Sequence, residues 1–490
     1  MQDQIQRALA ASAALVSTAA AIAAAPEIRE TGEGALPSRF DVTGLAAASI
    51  AAAGAEIARY AASSRSDRAP ASRERGGPAR VAVDRRLASM WFGFSVRPQG
   101  WALPSPWDPI AGDYRTRDGW IRLHTNAPHH RRAALAVLGV AEDRAAVAAA
   151  VAEARGEALE SAIVGNGGCA AQMRSLEAWR VHPQGRAVAE EPLIAWHGSP
   201  ADTPAPAPAN PSAGRVGDGS SASSARPLAG IRVLDLTRVL AGPVGSRLLA
   251  AYGADVLRID PPDWDEPGVV PEVTLGKRCA GLDLAVAADR ARFEELLAGA
   301  HVLIHGYRPG ALAGLGYDEP VLRALNPGLV DVALCAYGWT GPWSGRRGFD
   351  SLVQMSSGIA EAGQRWAGAD RPTPLPVQAL DHATGYLMAA AAVRGLALRR
   401  AGGGGVSARL SLARTAALLV EAGAGAPAPA FAAEAVEDLE ASVEATDWGP
   451  AQRLRFPLEV EGARSGFERP ASALRSAPAQ WAARLERPAR

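Results

Sequence analysis

The chain of 490 residues contains few cysteines and aromatic residues, and it carries no excess of either charge. Its three cysteines, Cys169, Cys279 and Cys335, lie far apart and are odd in number, which argues against a disulfide framework and favours a reducing compartment. Basic and acidic residues number 51 each and are interspersed, so the composition gives no sign of a nucleic-acid-binding or membrane-binding surface. An alanine-rich run at Ala8–Ala25 is too weakly apolar for an export signal and favours a helix. We therefore expect a cytoplasmic protein.

Lysine is almost absent, because every basic residue is arginine except Lys277. The compact, mobile ammonium of a lysine suits a phosphate contact or the rim of a binding site. The alternative is a surface lysine left over in an arginine-biased chain, and residue type alone does not separate the two.

Composition changes divide the chain into four segments. Residues 198–227 are rich in proline, alanine, serine and glycine, which is typical of a solvated linker. They separate an N-terminal half (1–197) from a C-terminal half, in which 228–420 alternates strand and helix patterns and 421–490 forms a tail. Alternation at this spacing predicts an α/β fold with a doubly wound, mostly parallel sheet.

The N-terminal half reads as a smaller α/β unit. The stretch Trp107–His124 predicts a hairpin that turns at Arg117–Gly119, and helices are expected at Arg131–Leu138 and Asp143–Ala154. His124, His129 and His130 cluster in this region. Adjacent histidines cannot face one metal ion from a helix, and no cysteine or H-E-x-x-H partner accompanies them, so a structural role is favoured over zinc binding.

The C-terminal half opens with a βαβ unit. Strands are predicted at Ile231–Leu234 and Val256–Ile259, and Gly242-Pro243 is expected to begin the helix with proline in the first position. Ligands of open α/β sheets bind beyond the carboxyl ends of the strands, so the turn at Ala241–Gly245 should touch substrate. The turn lacks the G-x-G-x-x-G spacing, which argues against a dinucleotide cofactor.

Two segments of the chain echo each other. Asp41–Tyr60 and Asp381–Arg400 are both alanine-rich helix patterns that open near a Thr-Gly pair and precede an alternating strand pattern. When the Thr-Gly pairs are superposed, Phe40 falls opposite Asp381. The N-terminal copy thus lacks a carboxylate at the matching position, which suggests one functional site and one degenerate copy.

Asp381 itself permits two interpretations. An aspartate at the start of a helix is a favoured N-cap, because it accepts from unpaired amides and complements the helix dipole. A carboxylate in that place can also be a nucleophile, with nearby amides available to an acyl oxyanion.

The C-terminal half resembles the CaiB/BaiF family of family III CoA-transferases from about Leu228 to Ala417. The resemblance rests on an ordered series of motifs that includes LAGIRVLDLTRVLAGPVGSRLLAAYGADVLRIDPP, GKRCAGLDL, HGYRPGALAGLGYD, GFDSLVQMSSG and LDHATGYLMAAAAV. It implies a Rossmann-like large domain, Asp381 as the nucleophile, and acyl-CoA and a small carboxylic acid as substrates with no permanently bound cofactor. It also implies that Lys277, Arg308 and Arg258, with Gly242 in the turn, lie near CoA or the rim of the site.

Departures from the family pattern narrow this expectation. Leu240 stands where some formyl-transferring members have glutamine, and Gly306 replaces a frequent asparagine. Phe349 stands where racemases of the family carry an acid/base histidine, so proton transfer at an α-carbon lacks one of its two partners. A 2-methylacyl-CoA racemase is therefore the second enzyme candidate, and a non-catalytic CoA-binding protein is the third candidate.

The order of segments along the chain also differs from that of the family. The family's small domain follows the catalytic helix, whereas here DGWIRLHTN and EAWRVHPQGRAVAEEPL, which resemble it, precede the large domain. Only a tail containing DWGPAQRLRFPLEV follows. We therefore expect a rearranged or fused member. The resemblance implies a homodimer, and the altered order of segments bears on whether its two subunits interlock as in the family.

Overall fold

The computed structural model describes residues 1–12, 25–66, 79–198, 225–402 and 404–482, with side chains 64–66 excepted. Most of the expected linker, residues 199–224, and part of the alanine-rich run, residues 13–24, lie outside these ranges. Within the described ranges, none of the helices combines the length and the apolar character needed to cross a bilayer.

The N-terminal half alternates helices with short strands. In chain order these are α1 (Gln2–Ala10), β1 (Glu27–Thr31), α2 (Val42–Ser66), β2 (Arg80–Asp84), α3 (Arg85–Trp91), β3 (Val96–Pro98), β4 (Gly112–Thr116), β5 (Gly119–Leu123), α4 (Pro128–Leu138), α5 (Arg144–Ala152), α6 (Gly156–Gly165), β6 (Ala170–Gln172), α7 (Leu176–Val181), α8 (Pro183–Glu190) and β7 (Ala195–Gly198). The predicted hairpin is confirmed, because β4 and β5 pair antiparallel, and β6 adds a third strand.

The C-terminal half contains the longer strand and helix alternation. Its elements are β8 (Arg232–Asp235), α9 (Ala241–Ala251), β9 (Asp255–Asp260), α10 (Val270–Val273), β10 (Arg278–Gly281), α11 (Ala287–Ala298), β11 (Val302–His305), α12 (Ala311–Gly314), α13 (Glu319–Leu325), β12 (Val330–Cys335), α14 (Asp350–Ser356), α15 (Ile359–Ala367), α16 (Ala379–Arg400), β13 (Val406–Ser411), α17 (Leu412–Ala422), β14 (Glu444–Thr446), β15 (Gly449–Arg453) and β16 (Leu458–Val460). Helix α9 begins at Ala241, so Pro243 is the third helical residue and not the first as predicted. Its missing N–H is tolerated there because amides of the first turn have no helical partner.

A seven-stranded sheet organises this half, with β7 of the N-terminal half at one edge, in the order β10-β9-β8-β11-β12-β13-β7. All pairings are parallel except that of β7 with β13. Neighbouring residues of β8 enter separate cores, Val233 with α9 and α16 and Leu234 with α11, because successive side chains of a strand point to opposite faces. The prediction of a mostly parallel α/β sheet is confirmed. The strand order reverses between β8 and β11, which is the place where such sheets bind ligands.

Helices α2 and α16, the two echoing segments, lie against each other. Both are alanine-rich and buried over most of their length, and each leads into a strand, β2 or β13. A buried ion pair joins them, with Arg394 Nε 2.9 Å from a carboxylate oxygen of Glu56. Asp41 caps α2 by accepting from the amide of Gly44 at 2.8 Å.

The buried carboxylate of Glu272 connects three distant parts of the chain. It accepts from the amides of Ser95 and Val96 at 3.0 Å, and it pairs with Arg247 of α9 and with Arg453 of β15. Burial alone would raise the pKa of Glu272, but the two arginines hold it below its ordinary value. The carboxylate therefore remains charged and fixes the segment 95–96 and the tail onto α9.

We expect Glu272→Ala to lower the free energy of unfolding by at least about 3 kcal/mol, because it leaves two buried arginines without their partner. Urea unfolding followed by circular dichroism measures this change. Glu434→Ala is the matched control, because Glu434 pairs with Arg97 at the surface and its loss should cost less than about 1 kcal/mol. Equal losses in the two variants would contradict the role given to Glu272.

Candidate active site

A cavity of about 480 Å³ opens where the strand order reverses, and we call it the arginine cavity. Its walls are the segments that follow the carboxyl ends of the strands: residues 236–242 after β8, 306–308 after β11, 334–336 at the end of β12, and 346–349 before α14. His129 and His130 of α4 line it from the N-terminal half. The expected contact of the α9 turn with this space is met by Ala241 and Gly242.

A second cavity of about 320 Å³ adjoins it, and we call it the aromatic cavity. Aromatic side chains from both halves line it: Phe94, Trp107, Trp264 and Phe349. Five residues line both cavities, namely Val239, Leu240, Trp264, Phe349 and Asp381. Asp381 therefore lies at the junction of the two cavities, and its relative exposure is 7%.

Asp381 does not cap its own helix. Helix α16 begins at Ala379, and the amides of Leu380 and Asp381 donate to one oxygen of Asp350, at 2.8 and 3.0 Å. Gln354 donates to the other oxygen of Asp350 and so orients it. The carboxylate of Asp381 has no hydrogen-bond or ion-pair partner within the described part of the chain. Asp350 therefore takes the capping role that the sequence allowed for Asp381.

A close approach of two helices brings Asp381 to the junction. Gly385 of α16 lies against the carbonyl oxygen of Ala241, where an added Cβ would come within 2.2 Å, and Gly245 of α9 lies against the carbonyl oxygen of Gly385, at 2.6 Å. Any larger residue at either position would separate the two backbones. The glycines thus hold the N-terminal turns of α9 and α16 at the same cavity.

The pKa values of Asp350 and Asp381 are both raised, mainly by burial. Burial raises the pKa of Asp350 to about 6, although the two amides and Gln354 oppose the shift. Burial, and then the charge of Asp350, raise the pKa of Asp381 well above 3.8. When ionised, Asp381 is thus a poorly solvated carboxylate, which makes it a reactive base or nucleophile.

Charge is divided unequally between the cavities. Four arginines line the arginine cavity: Arg238, Arg308, Arg346 and Arg347. Arg346 pairs with Glu160 at 2.8 Å, but the other three make no ion pair with any described residue. Asp381 is the acidic residue that faces them. The cavity is therefore suited to a multiply charged anion.

Two of the expected ligand contacts lie elsewhere. Lys277 is fully buried, with its Nζ 3.1 Å from Asp235 and 2.9 Å from the carbonyl oxygen of Pro243. Arg258 is also fully buried and pairs with Asp260 and Glu266. Neither residue lines the arginine cavity or the aromatic cavity. Gly242 and Arg308 line the arginine cavity.

Arg258 instead supports a strained residue of the site. Its partner Glu266 accepts from the amide of Val239 at 2.9 Å and from the indole of Trp264 at 2.8 Å. Val239 has φ 64°, a left-handed conformation that is rare for a β-branched residue. Glu266 therefore holds Val239 in the wall between the two cavities.

The histidines of the N-terminal half reach the site, which the sequence did not indicate. His124 stacks on Phe349 with ring centroids 3.6 Å apart, and it lines the aromatic cavity. Burial lowers the pKa of His124 to about 3 and that of His130 to about 4. Both are therefore neutral near pH 7. Within the described residues, no cluster of three histidine, cysteine or acidic side chains could hold a metal ion.

The electrostatics of Asp381 predict how its removal changes stability. The pKa of Asp381 is higher in the folded protein than in the unfolded chain, so protonation of Asp381 stabilises the folded protein. This stabilisation is fully present below the pKa of the unfolded state and is lost as the pH rises through the pKa of the folded state. Asp381→Asn removes the cost of a buried charge, so it should raise the urea midpoint at pH 8 and less so at pH 5.

Asp118→Asn serves as the control of opposite sign. The amide of Gly156 donates to Asp118 at 2.8 Å and lowers its pKa, so this variant should lose stability at pH 8. A lower midpoint for Asp381→Asn at pH 8 would contradict a costly buried charge.

Known proteins are similar to a large part of the C-terminal half. Residues 228–444 match CoA-transferase family III. An acetyl-coenzyme A transferase, nodX, of Hypoxylon pulicicidum is 36% identical over 187 residues, which are 37% of this chain and 32% of that protein. A succinyl-CoA–L-malate CoA-transferase alpha subunit of Chloroflexus aurantiacus is 35% identical over 27% of this chain and 35% of its own length.

A crystal structure of a CaiB/BaiF family protein from Brucella suis is 27% identical, with a TM-score of 0.36 over 46% of this chain and 65% of that one. The chain thus spans about a third of the length of the two curated relatives named above. The ordered motifs and the family match agree on the same segment. Residues 228–444 are therefore similar to CoA-transferase family III.

Proposed function

We propose that the protein transfers CoA between an acyl-CoA and a carboxylic acid, with Asp381 as the covalent nucleophile. One observation carries the proposal: the carboxylate of Asp381 has no partner among the described residues and lies where a cationic cavity meets an aromatic one. The names of the relatives, which are CoA-transferases, support the same reaction class.

The arginine cavity is suited to the phosphates of CoA. Arg238, Arg308 and Arg347 face it without a carboxylate partner in the described structure, and guanidinium groups bind phosphate oxygens in pairs. The first turn of α9 adds unpaired amides and a partial positive charge at Ala241 and Gly242. CoA would extend from these groups toward Asp381.

The chemistry proceeds by exchange at carbonyl carbons. An oxygen of ionised Asp381 attacks the thioester carbonyl, a C–O bond forms, the C–S bond breaks, and CoA leaves as the thiolate. The thiolate then attacks the carboxyl carbon of Asp381 in the mixed anhydride and releases the original acid as its carboxylate. This leaves an aspartyl-CoA thioester. An acceptor carboxylate repeats the two steps in reverse, which regenerates Asp381 and conserves the thioester bond.

The oxyanion of each step needs hydrogen-bond donors. The amides of Leu380 and Asp381 are engaged by Asp350, so they are not available for this purpose. Ala241 and Gly242 of the first turn of α9 line the arginine cavity, and their amides, which have no acceptor within the helix, are the better candidates.

The environment of Phe349 favours transfer over racemisation. Racemisation needs a second acid/base group beside the substrate α-carbon. The imidazole that stacks on Phe349 belongs to His124, whose pKa of about 3 makes it too weak a base near neutral pH. Exchange of the α-proton for deuterium in the absence of an acceptor acid would nevertheless favour a racemase.

Covalent trapping tests the nucleophile. Incubation with an acyl-CoA and hydroxylamine should convert the carboxyl of Asp381 to a hydroxamate, because the reagent cleaves the aspartyl-CoA thioester. Peptide mass spectrometry locates the change. Asp381→Asn should abolish the modification and reduce turnover by at least about 10³-fold. Modification of another peptide, or full turnover by the variant, would defeat the proposal.

Removal of an unpaired guanidinium tests the CoA site. Arg308→Ala should raise the KM for acyl-CoA by about tenfold, which corresponds to the loss of about 1.4 kcal/mol of binding energy, and should change kcat little. Steady-state kinetics measure both constants. Arg371→Ala is the control, because Arg371 is exposed and lines neither cavity. Equal KM values for the two variants would exclude Arg308 from CoA binding.

A further inference from the structure

The aromatic cavity differs in charge from the arginine cavity beside it. Its lining contains no lysine or arginine, but it contains the acidic residues Asp108, Asp265, Glu266 and Asp381. We infer that this cavity receives the acyl chain and selects uncharged apolar acyl groups, aromatic or branched, against dicarboxylates. The inference rests on the proposed function, since it names the substrate class of the same site.

Two of the cations next to the cavity lining are already engaged, and Arg238, which lies over the ring of Trp264, lines the arginine cavity instead. Arg131 pairs with Asp108, and Arg258 pairs with Glu266 at 2.6 Å. His124 could supply a positive charge only if protonated, and its ring is buried against Phe349. A second carboxylate on the acyl chain would therefore lose its hydration without gaining a cation, and it would face like charges.

The carboxylate of the acceptor acid that reacts at Asp381 is not subject to this electrostatic repulsion. When the acceptor acid approaches, Asp381 is a neutral thioester, so the two groups do not repel each other. A carboxylate at the far end of the acyl chain would instead meet Asp265 and its acidic neighbours at every step. The discrimination therefore acts on the far end of the chain.

The shape and surface of the cavity favour a ring or a branched chain. Phe94, Trp107 and Trp264 supply aromatic faces, and Val269 and Leu240 supply aliphatic contacts. The volume of about 320 Å³ exceeds the roughly 150 Å³ that suffices for benzene in an apolar cavity. Ser351, 5% exposed, has a hydroxyl without a hydrogen-bond partner within the described structure, and it can donate to one uncharged oxygen of the ligand.

The test compares phenylacetyl-CoA with succinyl-CoA on the full chain. We expect kcat/KM to be at least about 100-fold higher for phenylacetyl-CoA, because a buried unpaired carboxylate is costly. Calorimetry with Asp381→Asn gives the affinities of both esters without turnover and should show the same order. Equal or better use of succinyl-CoA would overturn the inference and leave the transferase proposal intact. Binding in the expected order without acylation of Asp381 would instead defeat the transferase proposal alone.

A charge change in the cavity provides the matched variants. Asp265 is exposed at the lining, so Asp265→Arg should fold and should raise kcat/KM for succinyl-CoA relative to phenylacetyl-CoA by at least about tenfold, through a new ion pair. Asp263→Arg adds the same charge two residues away, outside both cavities, and should leave the ratio unchanged. An unchanged ratio in Asp265→Arg, or an equal change in Asp263→Arg, would overturn the assignment of the acyl chain to this cavity.

Discussion

The hydrogen bonds from the N-terminal amides of α16 to Asp350 are the interaction on which the site depends. The N-terminal end of a helix needs acceptors for its unpaired amides, and the side chain of the N-cap residue commonly supplies one. Here Asp350, held by Gln354, takes this role for Leu380 and Asp381. The carboxylate of Asp381 is consequently left without a partner in the described structure. Burial raises the pKa of both carboxylates, and the charge of Asp350 raises that of Asp381 further.

The two cavities combine walls from both halves of one chain. The sheet provides the arginine cavity at its reversal point, as the strand order requires. The N-terminal half adds Phe94, Trp107 and His124 to the aromatic cavity. A single chain therefore brings together a cationic cavity and an aromatic cavity whose lining has no lysine or arginine, on either side of Asp381.

Buried ion pairs fix these walls. Glu272 holds residues 95–96, directly after Phe94, which has φ 78°. Glu266, paired with Arg258, holds Val239 at φ 64°. Residues in such conformations persist only where their surroundings fix them. Two strained residues thus line the aromatic cavity, each next to a buried carboxylate that accepts from the local backbone.

The sequence by itself determined the elements of the large sheet and singled out Asp381 as a candidate nucleophile. Strand periodicity and an ordered motif series are local properties, so β8, α9, β9 and the start of α16 could be predicted with errors of a few residues. The echo between the segments that became α2 and α16 was also visible, although their mutual contact was not.

Only the tertiary structure decided which side chains meet. The family resemblance implied that Lys277 and Arg258 lie near the ligand, and the structure shows each of them paired with buried carboxylates. Asp350 lies 31 residues before Asp381, and His124 comes from the other half of the chain, so no spacing rule could join them. Burial and long-range pairing determine these charges and contacts, and both depend on packing between segments that are remote in sequence.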